Sequence, residues 1–227
     1  MTDNRGAGAY PTIAVLGAGS WGTALAAMAR KAGREVRLWG RDAEALAEMA
    51  ASGRNERYLE GIDLPAGIAF EPDLEKALSD ANCVLMVTPS RTLREMARKM
   101  APHLARHAPV VLCAKGIEQG SGKLLGEVVE EELPGHRIGV LSGPTFARET
   151  ALGYPTAVTL AFPFQAADRR APMSAPATRL ALSLGSADFR PYVSDDMVGV
   201  EVAGAVKNVI AIACGMMTGA GYAENTR

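Results

Sequence analysis

A glycine-rich segment near the N-terminus is the first feature with chemical meaning. Residues 17–22 read Gly-Ala-Gly-Ser-Trp-Gly, a G-x-G-x-x-G pattern between an apolar strand-like run and a segment of helical spacing. In this pattern Gly17 permits a tight turn, Gly19 lets the backbone approach a pyrophosphate, and Gly22 allows close helix–strand packing. The N–H groups of a helix that begins at Ser20 would face the anion. The segment predicts a dinucleotide site, against the alternative of a turn that binds nothing.

Arg41 follows the second predicted strand, where an acidic residue for the adenosine ribose is expected. Residues 38–42 read Leu-Trp-Gly-Arg-Asp, so that acidic residue is absent from the strand tip. A guanidinium there could accept the 2′-phosphate of NADP, whereas Asp42 keeps NAD possible. The sequence leaves NADP or NAD open, and an exposed arginine without a ligand is a third alternative.

Two more segments place polar groups directly after apolar strands. Residues 87–90 read Val-Thr-Pro-Ser, and residues 113–116 read Cys-Ala-Lys-Gly. Open α/β sheets bind ligands in the crevice outside the carboxyl ends of their strands. Lys115 should therefore meet a phosphate or carbonyl oxygen there, unless it only leaves the core for water.

Residues 142–147, Ser-Gly-Pro-Thr-Phe-Ala, follow another predicted strand that ends at Leu141. Gly143 permits an unusual backbone conformation and Pro144 suits a helix start. We expect free N–H groups to converge in this loop, with a capped turn that binds nothing as the alternative.

Lys207 lies in an apolar helical segment beside small residues. Ala203, Gly204, Lys207 and Ala211 share one stripe, which would let another body approach closely. Partial burial beside a cofactor would lower the pKa of this lysine towards a value useful in general acid–base catalysis. A lysine that extends along the surface into water is the alternative.

The elements that must position these residues alternate strand and helix. Residues 12–16, 20–32 and 35–39 form a βαβ unit. Further strand-like runs occur at residues 68–70, 83–87, 110–114, 138–141, 156–160 and 188–192. The pattern predicts an α/β fold with a Rossmann-like, doubly wound, mainly parallel sheet. Residues 162–176 are broken by prolines, which predicts a late or irregular helix.

A long helix is expected near the end of the chain. Ser194 is a candidate N-cap, with Asp195 and Asp196 in the first turn, where carboxylates complement the helix dipole. Apolar residues then recur at helical spacing from Val198 to Ile212, so the helix needs a hydrophobic partner.

Bulk composition narrows the classes of function. With 227 residues, 48% hydrophobic and 22% charged, the chain can form one domain and part of another. The net charge of -1 comes from interspersed charges, which argues against nucleic-acid partners. Residues 198–217 are the most apolar stretch, but Glu201, Lys207 and Asn208 interrupt it, so we predict a buried helix of a soluble protein and no membrane insertion.

Cysteine usage and the N-terminus indicate a cytoplasmic protein. Cys83, Cys113 and Cys214 lie in apolar runs at spacings unlike a zinc site, so we interpret them as reduced core residues and predict no metal. Residues 1–10 lack the charged and apolar regions of a secretory signal and are predicted to be a disordered leader.

Five segments together resemble the NAD(P)-dependent glycerol-3-phosphate dehydrogenase family. They are residues 17–25, 38–42, 114–116, 142–147 and 204–211. The resemblance keeps the family's order and extends over nearly the whole chain from Ile13 onward. The segments around Lys115 and Lys207 and the loop 142–147 are far more specific than the glycine pattern.

The resemblance implies reversible hydride transfer between C4 of a nicotinamide and C2 of dihydroxyacetone phosphate, giving sn-glycerol 3-phosphate for glycerophospholipid synthesis. It implies that Lys207 is the catalytic proton donor and acceptor, and that Lys115 touches cofactor and substrate and polarises the carbonyl. The implied cofactor contacts, added to the three glycines, are Ser20, Trp21, Arg41, Lys115 and Ala147. The implied substrate contacts are Lys115, Gly143, Thr145, Lys207 and Asn208.

The chain departs from the family at its C-terminus. In the family a helical domain follows, with an aspartate that supports the catalytic lysine and an Arg-Asn pair that grips the phosphate; residues 225–227, Asn-Thr-Arg, do not replace it. We therefore expect a dinucleotide-binding domain at residues 11–193 and an incomplete all-α second domain at residues 194–227.

Two expectations follow from the missing helical domain, and two alternatives to the family assignment stay open. The chain should bind a dinucleotide with little or no dehydrogenase activity. An uncovered apolar helix face favours a homodimer or displacement of the residues after Val198. Another Rossmann dehydrogenase, such as a ketopantoate reductase or a 3-hydroxyacid dehydrogenase, is an alternative that residues 142–147 and 204–208 argue against. A non-catalytic dinucleotide-binding module is the other.

Overall fold

The computed structural model describes residues 8–222, which form strands and helices in alternation. The strands are β1 (Thr12–Leu16), β2 (Glu35–Trp39), β3 (Ile68–Glu71), β4 (Cys83–Met86), β5 (Val110–Leu112), β6 (Ile138–Ser142), β7 (Thr156–Ala161) and β8 (Phe189–Ser194). The α-helices are α1 (Ser20–Lys31), α2 (Ala43–Ser52), α3 (Leu74–Leu78), α4 (Leu93–Met100), α5 (Leu125–Glu132), α6 (Ala147–Leu152), α7 (Ala166–Arg170), α8 (Pro176–Leu184) and α9 (Met197–Gly219). Short 3₁₀ helices lie at Ser90–Thr92, Ala101–His103 and Pro172–Ser174.

All eight of these strands join one sheet, in the order β3-β2-β1-β4-β5-β6-β7-β8. Strands β1 to β6 run parallel, while β7 is antiparallel to β6 and parallel to β8. The predicted Rossmann-like, mainly parallel sheet is thus confirmed. Because β1 to β6 point the same way, the segments after β1, β4, β5 and β6 meet at one edge.

Alternating side chains of the strands bury two cores, one on each face of the sheet. In β1, Ile13 and Val15 pack into one core, and Ala14 and Leu16 into the other. This burial on both faces explains why the central strands are apolar throughout instead of alternating with polar residues. Helices packed on both faces hold the sheet in place. The sheet in turn positions the loops that follow its strands at its carboxyl edge.

The N-terminal segment joins the fold earlier than its sequence predicts. Tyr10 is buried, its N–H donates a hydrogen bond to Ser183 Oγ at 2.7 Å, and the Arg179 guanidinium lies 4.1 Å from its ring centroid. The predicted disordered leader is therefore wrong at Tyr10. Residues 1–7 of that leader, like residues 225–227, lie outside the described residues.

The start of α9 also differs from the prediction. Ser194 ends β8, and Asp196 is the N-cap, accepting a hydrogen bond from the Gly199 N–H at 2.8 Å. Ser194 Oγ instead accepts from the Asp196 N–H. The chain continues the sheet for longer than its helix signals suggest, because β8 pairs with β7 through Ser194.

Helix α9 is largely exposed, so the prediction of a buried helix is wrong. Its buried residues are Met197, Glu201 and Gly204. Its exposed large apolar side chains are Val198, Val202, Val206, Val209, Ile210, Ile212 and Met216. By length and composition alone α9 could cross a membrane, although its buried Glu201 is packed within this fold.

The cysteines follow the prediction only in part. Cys83 and Cys113 are free and buried in the core, and burial raises the pKa of both thiols. Cys214 is free but only half-buried, because it lies on the exposed part of α9, so its assignment to the core is wrong. The predicted irregular segment at residues 162–176 is confirmed, since a short α7 and a 3₁₀ turn precede α8.

Close packing between β6 and the segment after β7 yields a stability prediction. A β-carbon on Gly139 would lie 2.5 Å from the ring of Phe162, and both residues are buried. Gly139→Ala should lower the free energy of unfolding by about 1–3 kcal/mol, the usual cost of overpacking, as measured by urea denaturation. Gly215→Ala on α9 is the control without a clash, because beyond its chain neighbours and the nearby helix backbone no atom lies within 4 Å of its added carbon. Equal stability of Gly139→Ala and the parent chain would contradict this packing.

Candidate functional site

The glycine loop between β1 and α1 is built from close backbone contacts. Gly17 has φ +124°, and its N–H donates a hydrogen bond to Trp39 O at 2.9 Å. A β-carbon on Gly17 would lie 2.9 Å from Val87 O, and one on Gly22 would lie 1.8 Å from Gly17 O. The predicted tight turn at Gly17 and close packing at Gly22 are therefore present, and larger residues would break both.

The same loop leaves room where a ligand would approach. No atom lies within 4 Å of a β-carbon placed on Gly19, and α1 begins without a side-chain cap. The first-turn N–H groups of α1 have no partner within the helix, and they attract anions. Val87 contacts this loop at Gly17, and the next residue, Thr88, is buried. Among residues 8–222, Thr88 Oγ1 is the buried side-chain polar atom that lacks a hydrogen-bond partner. This arrangement fits the pyrophosphate of a dinucleotide.

The two charged residues after β2, Arg41 and Asp42, differ in their contacts with the rest of the protein. Asp42 caps α2 by accepting from the Ala45 N–H at 3.1 Å, and its other oxygen lies 3.5 Å from Arg57 Nη1. Arg41 is exposed and makes no hydrogen bond or ion pair with the described residues. The Asp42 carboxylate therefore already has partners within the protein, while the Arg41 guanidinium is free to contact a ligand.

A cavity of about 280 Å³ lies at the carboxyl edge of the sheet and joins three of the predicted segments. Its lining residues are Trp21, Cys113, Lys115, Leu141, Ser142, Gly143 and Thr145. The cavity thus brings the glycine loop, the segment after β5 and the loop after β6 together, although they are distant in sequence.

Lys115 is the central cation of this cavity. Its Nζ donates a hydrogen bond to Gly143 O at 3.0 Å, which ties the segment after β5 to the loop after β6. Burial lowers the pKa of Lys115, and the positive charge of Lys207 lowers it further. Lys115 is therefore held in place and carries an ammonium that gives up its proton more easily than an exposed lysine does.

Gly143 is required for a reason other than the predicted one. It is absent from the positive-φ residues of the described chain, but a β-carbon there would lie 2.9 Å from Ala157 O on β7. The prediction of an unusual backbone is therefore wrong, and close approach of β7 is the cause. Pro144 does not start a helix either, because α6 begins at Ala147 with Phe146 as its N-cap.

Lys207 lies outside the cavity wall, on the helix that packs against the stem of Lys115. It is exposed on α9 and follows Gly204 by three residues. A β-carbon on Gly204 would lie 3.1 Å from Ser142 Oγ and 3.6 Å from Lys115 Cγ, so α9 packs on the stem of Lys115 at this glycine. Asn208 is exposed beside Lys207.

The predicted cofactor residues fall into two groups. Trp21 lines the cavity, whereas Ser20, Arg41 and Ala147 do not. Trp21 and Ala147 pack against the same small apolar cluster between α1 and α6, so the start of α6 lies beside the glycine loop. Their ligand roles stay predictions.

Glu201 is a residue whose importance the sequence analysis missed. It is buried and accepts a hydrogen bond from the Gly126 N–H at 2.7 Å, close to Lys115 and Gly204. The available signal was the spacing of Met197, Glu201 and Gly204, which places a lone acidic residue on the one face of α9 that packs.

Comparisons with known proteins agree with this geometry. Residues 12–168 match the model of the NAD-dependent glycerol-3-phosphate dehydrogenase N-terminus, and residues 196–227 match that of the C-terminus. The glycerol-3-phosphate dehydrogenase (NAD(P)+) of Rhodospirillum rubrum is 49% identical over 215 residues, which are 95% of this chain and 59% of that protein. The protein of the same name from Paramagnetospirillum magneticum is 46% identical over 95% of this chain and 74% of its own length.

Among solved structures, the glycerol-3-phosphate dehydrogenase of Coxiella burnetii superposes with a TM-score of 0.83 at 37% identity. The alignment covers 96% of this chain and 64% of that one. This chain therefore spans roughly three fifths of the first relative and of this structure, and nearly all of it is matched.

The pKa of Lys115 gives a direct test of the site. Lys207→Gln removes the nearby positive charge and should raise the pKa of Lys115, as followed by ¹H–¹³C NMR titration of lysine labelled at Cε. Lys99→Gln is the control, because Lys99 is exposed and pairs with Glu95 on α4. An unchanged Lys115 pKa in Lys207→Gln would mean that the two ammonium groups do not share a site.

Proposed function

Since the chain belongs to the NAD-dependent glycerol-3-phosphate dehydrogenase family, we propose that it serves hydride transfer between NAD(P)(H) and the dihydroxyacetone phosphate/sn-glycerol 3-phosphate pair. The observation that carries the proposal is the cavity in which Trp21 of the glycine loop faces Lys115 and the loop after β6. One cavity then contacts a cofactor on one side and a phosphorylated substrate on the other.

The dinucleotide is proposed to lie along the carboxyl edge of the sheet. Its pyrophosphate meets the N–H groups of Gly19 and Ser20 at the start of α1, and its adenosine end reaches Arg41. Ala147, beside Trp21, contacts the far end of the cofactor. When bound there, the nicotinamide supplies or accepts the hydride at C4.

The proton chemistry is assigned to the two lysines. Lys115 polarises the substrate carbonyl from its position on Gly143 O, since a fixed cation stabilises negative charge that develops on that oxygen. Lys207 donates the proton to the alkoxide during reduction and accepts it during oxidation. Thr145 and Asn208 complete the substrate contacts.

The organisation of the chain follows from these roles. We take residues 11–193 as the dinucleotide-binding domain, extended by the packing of Tyr10, and residues 194–227 as the start of a helical substrate domain. The free cysteines fit a cytoplasmic protein. The exposed apolar side chains of α9 favour self-association as a homodimer.

Catalytic activity should depend on the C-terminal segment that the relatives have beyond the part matched by this chain. A polypeptide of these 227 residues should bind the dinucleotide but oxidise NADH or NADPH with dihydroxyacetone phosphate slowly. Fusion to the remaining C-terminal segment of the Rhodospirillum rubrum relative should raise kcat/KM by about 100-fold or more, because a gripped phosphate positions the reacting carbon. The measurement is absorbance at 340 nm on both polypeptides.

Two controls separate the outcomes of that assay. Lys207→Met in the fused chain should lower kcat by about 10²–10⁴-fold, the scale of a lost general acid. If both polypeptides bind the dinucleotide and neither reacts, the chain is a non-catalytic dinucleotide-binding module. Full turnover by the 227-residue polypeptide would refute the need for the added segment.

Cofactor preference is predicted from Arg41. Arg41→Ala should weaken NADPH binding roughly tenfold and leave NADH binding nearly unchanged, because only NADPH carries the 2′-phosphate. Isothermal titration calorimetry with both cofactors measures this difference. Arg106→Ala is the control, since Arg106 is exposed and precedes the amino end of β5. An equal loss for NADH and NADPH would contradict a 2′-phosphate contact.

A further inference from the structure

Helix α9 packs on the rest of the fold through its first turns, where a short row of buried residues lies beside the partly buried Val200. Met197, Glu201 and Gly204 are its buried residues, and their spacing of four and three places them on one face of the first two turns. No residue from 205 to 219 is buried in the described chain. Lys207 follows the last buried contact by three residues, so this row determines where its side chain begins.

Within the row, Glu201 makes the directional contact. Its Oε1 accepts a hydrogen bond from the Gly126 N–H at 2.7 Å, while only 8% of the residue is exposed. Gly126 is the second residue of α5, and the N-cap of α5 is Leu124, whose side chain makes no cap hydrogen bond. Because leucine has no side-chain acceptor, a carboxylate on a different helix supplies what α5 lacks.

The fit around this carboxylate is tight. A β-carbon on Gly126 would lie 2.8 Å from Glu201 Oε2 and 2.3 Å from Met197 Cε, so α9 approaches α5 at a point where only glycine leaves room. Burial raises the pKa of Glu201, and the hydrogen bond from Gly126 opposes that rise. The contact therefore fixes both the rotation of α9 and its distance from α5.

The same row extends from Glu201 to the carboxyl edge of the sheet. A small space beside the cavity is lined by Lys115, Ser142, Glu201 and Gly204 among others. Gly204, one turn after Glu201, lies against Ser142 and the stem of Lys115. A rotation of α9 about its axis would break the Gly126 hydrogen bond and move Lys207 relative to Lys115 together.

We propose that Glu201 is a positioning residue, which caps α5 from α9 and thereby places Lys207 beside Lys115. The role of Lys207 in proton transfer rests on the proposed function. The contact of Glu201 with Gly126 does not, because it exists without a ligand.

The test measures how much the positive charge of Lys207 changes the pKa of Lys115. The sample is the 227-residue chain labelled with ¹³Cε-lysine. Lys207→Gln should raise the pKa of Lys115, and NMR titration determines this rise in three backgrounds: the parent chain, Glu201→Met and Glu201→Gln. Methionine keeps the length of the side chain but removes the acceptor, whereas glutamine keeps an acceptor oxygen. We expect Glu201→Met to reduce that rise by at least half and Glu201→Gln to retain it.

The proposal is overturned if Glu201→Met retains the full rise, or if the parent chain has none. Gly126→Ala disturbs the same contact from α5 and should reduce the rise similarly, which keeps the test valid if Glu201→Met fails to fold. If both variants unfold by circular dichroism while Glu201→Gln folds, Glu201 serves the stability of the whole domain and the positioning role is refuted.

A kinetic arm distinguishes this inference from the proposed function. In the fused chain, Glu201→Met should lower kcat with little change in the KM for NADPH, and Glu201→Gln should restore it. Absence of turnover in the parent fusion would refute the proposed function alone, since the NMR result needs no ligand.

Discussion

The hydrogen bond that Lys115 Nζ donates to Gly143 O at 3.0 Å is the interaction on which the site depends. It joins the segment after β5 to the loop after β6 and gives one wall of the cavity a fixed cation. The stem of the same lysine supports α9 at Gly204. A side chain that forms part of the wall and supports the next helix cannot move without disturbing both, which suits the role proposed for Lys115, holding a substrate oxygen in one geometry.

Around this lysine, close approach of backbones recurs at glycine. The turn at Gly17 passes within contact of Val87 O, Gly143 passes against Ala157 O, and Gly126 admits Glu201 and Met197. Only Gly17 of these three needs a positive φ, and the others need the absence of a β-carbon. The sheet thereby brings loops from distant parts of the chain close enough to enclose one cavity, with Lys115 in its wall.

The fold was predictable from the sequence because its signals are local. The alternating strand-like runs and helical segments, with the pattern at residues 17–22, predict the strand ends, and the strand ends predict where Lys115 and the loop after β6 lie. The predictions from sequence are wrong where a contact between residues distant in the sequence determines the local structure. Pairing of β8 with β7 carries Ser194 into the sheet, and Ser183 draws Tyr10 into the fold. The contact of Glu201 with Gly126 joins residues 75 apart in the sequence, and no local pattern encodes a helix that is capped from another helix.

We propose that the cavity beside Trp21 and Lys115 receives the nicotinamide end of the dinucleotide. The chain has two tryptophans, and a Trp39→Phe variant leaves Trp21 as the only one, so its fluorescence reports on this cavity. Titration of NADPH or NADH into that variant should quench Trp21 in a saturable manner, with energy transfer to the reduced nicotinamide. If a dinucleotide that binds by calorimetry leaves Trp21 unquenched, the cofactor lies elsewhere and the account of the site is wrong.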